Sequence, residues 1–278
     1  MKKKYIIAII VAVFILIDLS VLLYPSLSAY VNARSQSRAV AHYFDDVAGM
    51  DDTDIQAILE AAREYNRDLL RMANRFNYTQ ADTARYKALL NTGRGVMGVL
   101  AIDKINVKLP IYHGTDEDVL QVGLGHLQGT SLPVGGTGTH AFITGHRGLP
   151  SSTLLTELDK LAEGDTFALY IMGETLTYRV DNIQTVLPEE VSSLDIDPDM
   201  DYCTLVTCTP YGVNSHRLLV RGYRIENLNP GWDAVYADAR RLDKALVILL
   251  FLAPAVPALV IYLVIRCRKI RKGGCVHR

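Results

Sequence analysis

A mainly β domain held between two membrane-spanning segments is the fold class that three features of this 278-residue sequence predict. Long apolar runs stand near both ends, a proline-free helical stretch follows the first, and short β-rich segments punctuated by Gly and Pro occupy most of the second half.

The first run, Tyr5 to Leu23, and the second, Ala245 to Ile265, each reach the roughly 20 residues that span a hydrocarbon core. Lys2, Lys3 and Lys4 flank one on its outer side; Arg266, Arg268, Lys269, Arg271, Lys272 and Arg278 flank the other. By the positive-inside rule both termini face the cytoplasm, and everything between the runs lies outside the cell membrane, like the crown of a staple. Asp18 within the first run and Pro254 and Pro257 within the second are the blemishes, and membrane helices tolerate proline better than soluble ones do. The alternative for the first run is a signal peptide, with Ser26-Leu27-Ser28 at cleavage spacing.

From about Val31 to Leu90 apolar residues recur at helical spacing, as in Ile55, Ile58, Leu59 and Ala62, and Asp52-Thr53-Asp54 reads as a helix start. Asn91 to Gly95 breaks that pattern. Strands are expected over 98–102, 107–112, 140–144, 166–171, 174–182, 185–187, 204–208 and 217–225, the signature of an all-β barrel or sandwich. The resulting plan is a cytoplasmic tip and first anchor over 1–24 and a helical lead over 25–92. The β domain follows over 93–226, then a connector over 227–244, the second anchor over 245–265 and a basic tail over 266–278. Trp232, in the connector, fits an aromatic at the bilayer interface.

Charge and composition exclude several classes. With the nine basic residues of the two ends set aside, 20 Lys and Arg remain against 30 acids, so the crown is strongly acidic and is no nucleic-acid surface. The acidic clusters Asp45-Asp46, Asp51-Asp52-Asp54 and Asp116-Glu117-Asp118 match no calcium-loop spacing, and neither a metal nor a cofactor is expected. Of the 4 cysteines, Cys267 and Cys275 fall in the tail. Cys203 and Cys208 sit five apart in one strand, so their side chains take opposite faces and no disulfide is expected.

Chemistry concentrates in two stretches. A strand ends at Cys208, a turn-rich loop follows, and a second strand opens at Arg217; paired antiparallel, the hairpin returns the guanidinium to the thiol. A cation there lowers the thiol pKa and can hold an oxyanion. The plain alternative is a buried structural cysteine beside a surface arginine. In the second stretch, Ile143 to Gly148, His146 stands between glycines just after a strand, where an imidazole can donate a proton to a leaving amine. His126 and His140 are weaker rivals, and His216 takes the face opposite Arg217.

These residues resemble the sortase family, with the pilus-building class C as the nearest group. The likeness rests on Thr-Leu-x-Thr-Cys at Thr204 to Cys208 and Thr-Gly-His-Arg-Gly-Leu-Pro at Thr144 to Pro150. It also rests on Gly129 to Gly136, Ile105 to Tyr112 and Arg217 to Gly222, and extends over about 24–226. The resemblance implies a closed eight-stranded β-barrel with Cys208 as nucleophile, His146 as proton donor and Arg217 as oxyanion clamp, and with Leu205, Thr207 and Thr144 beside the substrate. The implied substrate is a surface protein or pilin with a Leu-Pro-x-Thr-Gly-like sorting signal, joined through a thioester to a lysine amine. An acceptor amine on peptidoglycan, a catalytically idle binding module and a plain cysteine protease are the rival readings. Class C members commonly carry a lid held by an Asp-Pro-aromatic motif, yet no proline stands between Pro25 and Pro110. A lid over Asn77 to Tyr86 held through Asp82 or Tyr86, or no lid, follows.

Overall fold

The computed structural model describes residues 2–227 apart from 73, 151 and 191–193; the connector, second anchor and tail, with Trp232, Cys267 and Cys275, lie outside the described residues. Three helices lead in: α1 (Lys2–Ala48), α2 (Asp52–Arg71) and α3 (Gln80–Ala88). Eight strands follow: β1 (Val96–Ile102), β2 (Val107–His113), β3 (Leu124–His126), β4 (Thr139–Thr144), β5 (Thr166–Ile171), β6 (Glu174–Val186), β7 (Asp201–Thr209) and β8 (His216–Ile225). A short helix, α4 (Glu117–Val122), separates β2 from β3.

The strands close into one barrel in the order β1-β2-β3-β4-β7-β8-β6-β5. Closure leaves no free edge. Two neighbouring pairs, β2 with β3 and β4 with β7, run parallel; the others are antiparallel. Period-2 alternation sends Cys203, Leu205 and Thr207 of β7, opposite Gly222, Val220 and Leu218 of β8, into the core, and turns Thr204, Val206 and Cys208 outward.

Two strand expectations need correction. β3 reads as loop in sequence because it is three residues long between glycines, and only its pairing with β2 and β4 makes it a strand. The expected strands 174–182 and 185–187 are one, carried through a bulge between Val180 and Asn182.

The helical lead is fastened to the barrel by apolar stripes and a few buried polar contacts. Val40, Tyr43, Phe44 and Val47 form the packed face of α1, and Leu59, Ala62, Tyr65 and Leu69 that of α2. Tyr43 donates to the Met97 carbonyl (3.1 Å) and accepts from the Met172 amide (2.8 Å), tying α1 to β1 and to the β5–β6 turn. Asn66 of α2 exchanges two hydrogen bonds with the backbone of Leu132 (3.0 and 2.7 Å). In α3, Tyr86 is buried: it donates to the His126 carbonyl (3.0 Å), accepts from the Gly114 amide (3.0 Å) and lies 2.9 Å from His126 Nδ1. Among the described residues no helix is long and apolar enough to cross a membrane; much of the first apolar run falls on residues whose side chains lie outside the described set.

Candidate active site

The site stands on the outer face of the barrel, where β7 ends and β8 begins. Cys208 and Arg217 are directly opposed in the β7–β8 ladder, so their side chains leave the same face about 5 Å apart at Cβ. Arg217 steadies its own loop with Nη1 alone, donating to the carbonyls of Asn214 and His216 (3.3 and 3.2 Å). The hairpin inferred from sequence therefore forms, and it sets Arg217 and Cys208 side by side on one face. His216 takes the other face and pairs with Ser215 Oγ (2.9 Å).

The imidazole arrives from β4. Thr144 is abreast of Val206 in the parallel β4–β7 ladder, and the Gly145 amide still donates to the Val206 carbonyl (3.0 Å). Thr207 Oγ1 then donates to the Gly145 carbonyl (2.8 Å). Past Thr144 the chain leaves the ladder and carries His146 to the end of β7, where the next residue, Arg147, donates to Thr209 Oγ1 (3.0 Å). Gly145 permits the approach, since a Cβ there would stand 2.5 Å from Leu124 Cδ2 and 3.1 Å from Leu155.

The rival histidines are spent on structure. His126 is fully buried, with Nε2 on the Ser131 carbonyl (2.8 Å) and Nδ1 against Tyr86. His140 bonds the Asp195 carbonyl and Thr204 Oγ1, both at 2.8 Å. Burial pushes each of these imidazoles down to about 4, so both stay neutral. His146 has no hydrogen bond at Nε2, which lies 3.5 Å from Glu117 Oε1. Sequence reasoning took Glu117 for a solvated helix start; only the packing of α4 beside β3 brings it to the imidazole. Gln121 holds that carboxylate at 2.5 Å and, with His146 beside it, keeps it below its usual pKa.

Both cysteines outside the tail are free thiols, on the opposite faces that their spacing requires. Burial raises the Cys203 thiol well above its ordinary value, which makes it inert. Thr144 stands half-buried on the outer face. Leu205 and Thr207 do not: both side chains point into the barrel, because they alternate with Cys208, and they shape the site from behind. Asp82 and Tyr86 do not reach the thiol either. Asp82 closes a capping box with Thr79, and Tyr86 is buried against β3, so both hold α3 in place. The α2–α3 connection instead lies over two barrel loops, with Arg75 donating to the Leu194 carbonyl (2.5 Å) and Phe76 against Gly129.

Farther along the same outer face a cleft of about 420 Å³ opens, lined by His140, Tyr202, Thr204, Leu219 and Arg221 under the β6–β7 loop. Thr204 and Arg221 are partners four residues along the ladder from Cys208 and Arg217, about 13 Å away. Among the described residues no group of His, Cys, Asp and Glu is arranged to hold a metal ion.

Comparison with known proteins agrees with this geometry. Residues 100–225 match the sortase domain. The fold superposes on sortase C1 of Streptococcus agalactiae with a TM-score of 0.67 at 50% identity, covering 68% of this chain and 99% of that one. A structure of Clostridium perfringens sortase C with the C-terminal cell wall sorting motif gives 0.61 at 40% identity, over 68% and 99%. Sortase D of Bacillus subtilis is 29% identical over 148 residues, 52% of this chain and 72% of the relative. The closed barrel that carries Cys208, Arg217 and His146 is thus the fold of solved class C sortases, and the chain belongs to the sortase family.

Proposed function

We propose that this protein is a cysteine transpeptidase that polymerises pilins, with the barrel displayed outside the cell. The observation that carries the proposal is the pairing of Cys208 with Arg217 in register, with His146 brought alongside by the β4–β7 ladder. The Cys208 thiolate attacks the carbonyl of the threonine in a Leu-Pro-x-Thr-Gly-like signal. Arg217 steadies the tetrahedral oxyanion, and His146 protonates the departing glycine amine, leaving a thioester. A lysine amine of the next subunit attacks that thioester, expels the thiolate and forms an isopeptide bond. Bond energy is kept in the thioester, so no nucleotide is required. Class C neighbours at 40–50% identity, one of them with a sorting motif, support the substrate class.

The two apolar runs and their basic outer flanks support anchoring at both ends of the crown, with the barrel over 93–226 as the catalytic unit and both termini cytoplasmic in a Gram-positive-type cell.

Incubating the full-length enzyme with a sorting-signal peptide and reading Cys208 by mass spectrometry tests the chemistry. Wild type should carry the acyl adduct and Cys208→Ala none; Arg217→Lys should form it at least tenfold more slowly, since an ammonium lacks the planar fork. No adduct on the wild type would reduce the protein to a binding module. Supplying purified pilin and cell-wall amines in competition then tests the acceptor: pilin ladders are expected, exclusive use of the cell-wall amine refutes polymerisation, and release by water alone indicates a protease.

A further inference from the structure

Arg147 follows His146 in the chain, and its side chain is only 8% exposed. Its Nη1 donates to Thr209 Oγ1 (3.0 Å), and its Nη2 pairs with Asp159 (2.5 Å). Thr209 follows Cys208. The guanidinium thus links the residue after the imidazole to the residue after the thiol, from the side of the chain that faces away from the groove. Other contacts hold the same turn. The Leu155 amide donates to the His146 carbonyl (3.3 Å), and the Gly148 amide donates to Thr156 Oγ1 (3.1 Å). Gly148, at φ +77°, lies under the Tyr211 ring, which a Cβ would meet at 2.9 Å.

As a device for stability this cation is a poor one. Its Nε is buried without an acceptor, and its anionic partner is half exposed, so desolvation offsets much of the attraction. What the arrangement does supply is geometry. A planar fork fixed at both ends sets the spacing between two chain segments.

We propose that Arg147 is a positioning residue for the acyl transfer: bridging Asp159 and Thr209, it fixes the His146 turn to the strand end that presents Cys208. The inference rests on the transpeptidase reading for its reaction and on the contacts of Arg147 for its geometry. A displacement of about 1 Å between reacting groups can lower a rate by about 100-fold.

The test uses the full-length protein in detergent with two probes, a Leu-Pro-x-Thr-Gly peptide for acylation and iodoacetamide for alkylation, each read at Cys208 by peptide mass spectrometry. Arg147→Met should lower the maximal acylation rate about 10- to 100-fold with little change in the peptide concentration that gives half the rate. Arg147→Lys should recover part of it. Thr209→Val, which keeps shape and removes the acceptor, should act in the same direction without threatening the fold. The rate of Cys208 alkylation at one fixed pH should also change in Arg147→Met and return toward wild type in Arg147→Lys, a rescue that loosened packing alone does not produce. If the wild type forms no thioester while the alkylation rate still responds in this way, the transpeptidase reading fails and the positioning role stands. Wild-type rates of both reactions in Thr209→Val, or in a folded Arg147→Met, overturn the role.

Discussion

His126 and His140 show how burial decides what an imidazole does. Both are buried with both ring nitrogens engaged, and both are held neutral down to about pH 4. The unfolded chain, by contrast, takes up protons near the ordinary value of 6.5. The folded state therefore binds fewer protons below that value, and stability is full above it and declines as pH falls toward about 4. Each unit of such a depression amounts to about 1.4 kcal/mol. The urea midpoint of the protein should drop steadily from about pH 6.5 to about pH 4, and less steeply in His140→Gln. A midpoint that holds level through that window contradicts the assignment. His146, by contrast, has no hydrogen bond at Nε2 and stands 3.5 Å from the Glu117 carboxylate.

The elements owe their positions to a few close approaches. The end of β4 can lie against the site because Gly145 leaves room for Leu124 and Leu155, both fully buried. Gly145→Ala forces a contact of 2.5 Å, and the ring of apolar neighbours has no slack to absorb it. Overpacking of this kind costs about 1–3 kcal/mol. Thermal unfolding of Gly145→Ala should reveal that loss, and Cys208 acylation should fall further than stability does, because the shifted element carries His146. Unchanged melting and unchanged acylation would show that the strand end can give way. Helix α3 illustrates the reverse case. Its capping box and buried Tyr86 fasten the segment before the barrel, so that the α2–α3 connection, through Arg75, meets the β6–β7 loop over the cleft.

At the scale of the whole molecule, the staple topology expected from the two apolar runs is open to test through the thiols. In intact cells a membrane-impermeant maleimide should label Cys208, leave buried Cys203 untouched, and reach Cys267 and Cys275 only after permeabilisation. Labelling of either tail cysteine from outside would refute the staple. Local pattern alone was enough for much of this. Alternation made the strands legible, odd spacing separated Cys203 from Cys208, and the Cys208–Arg217 hairpin followed because the two residues flank a single turn-rich loop. Long-range packing decided the rest. β3 exists only through its partners, and Glu117 and Arg147 gained their places from elements distant in sequence. Sequence records which face a side chain takes, since that depends on backbone period; which groups meet on that face depends on how the barrel closes, a balance of contacts that no short segment contains.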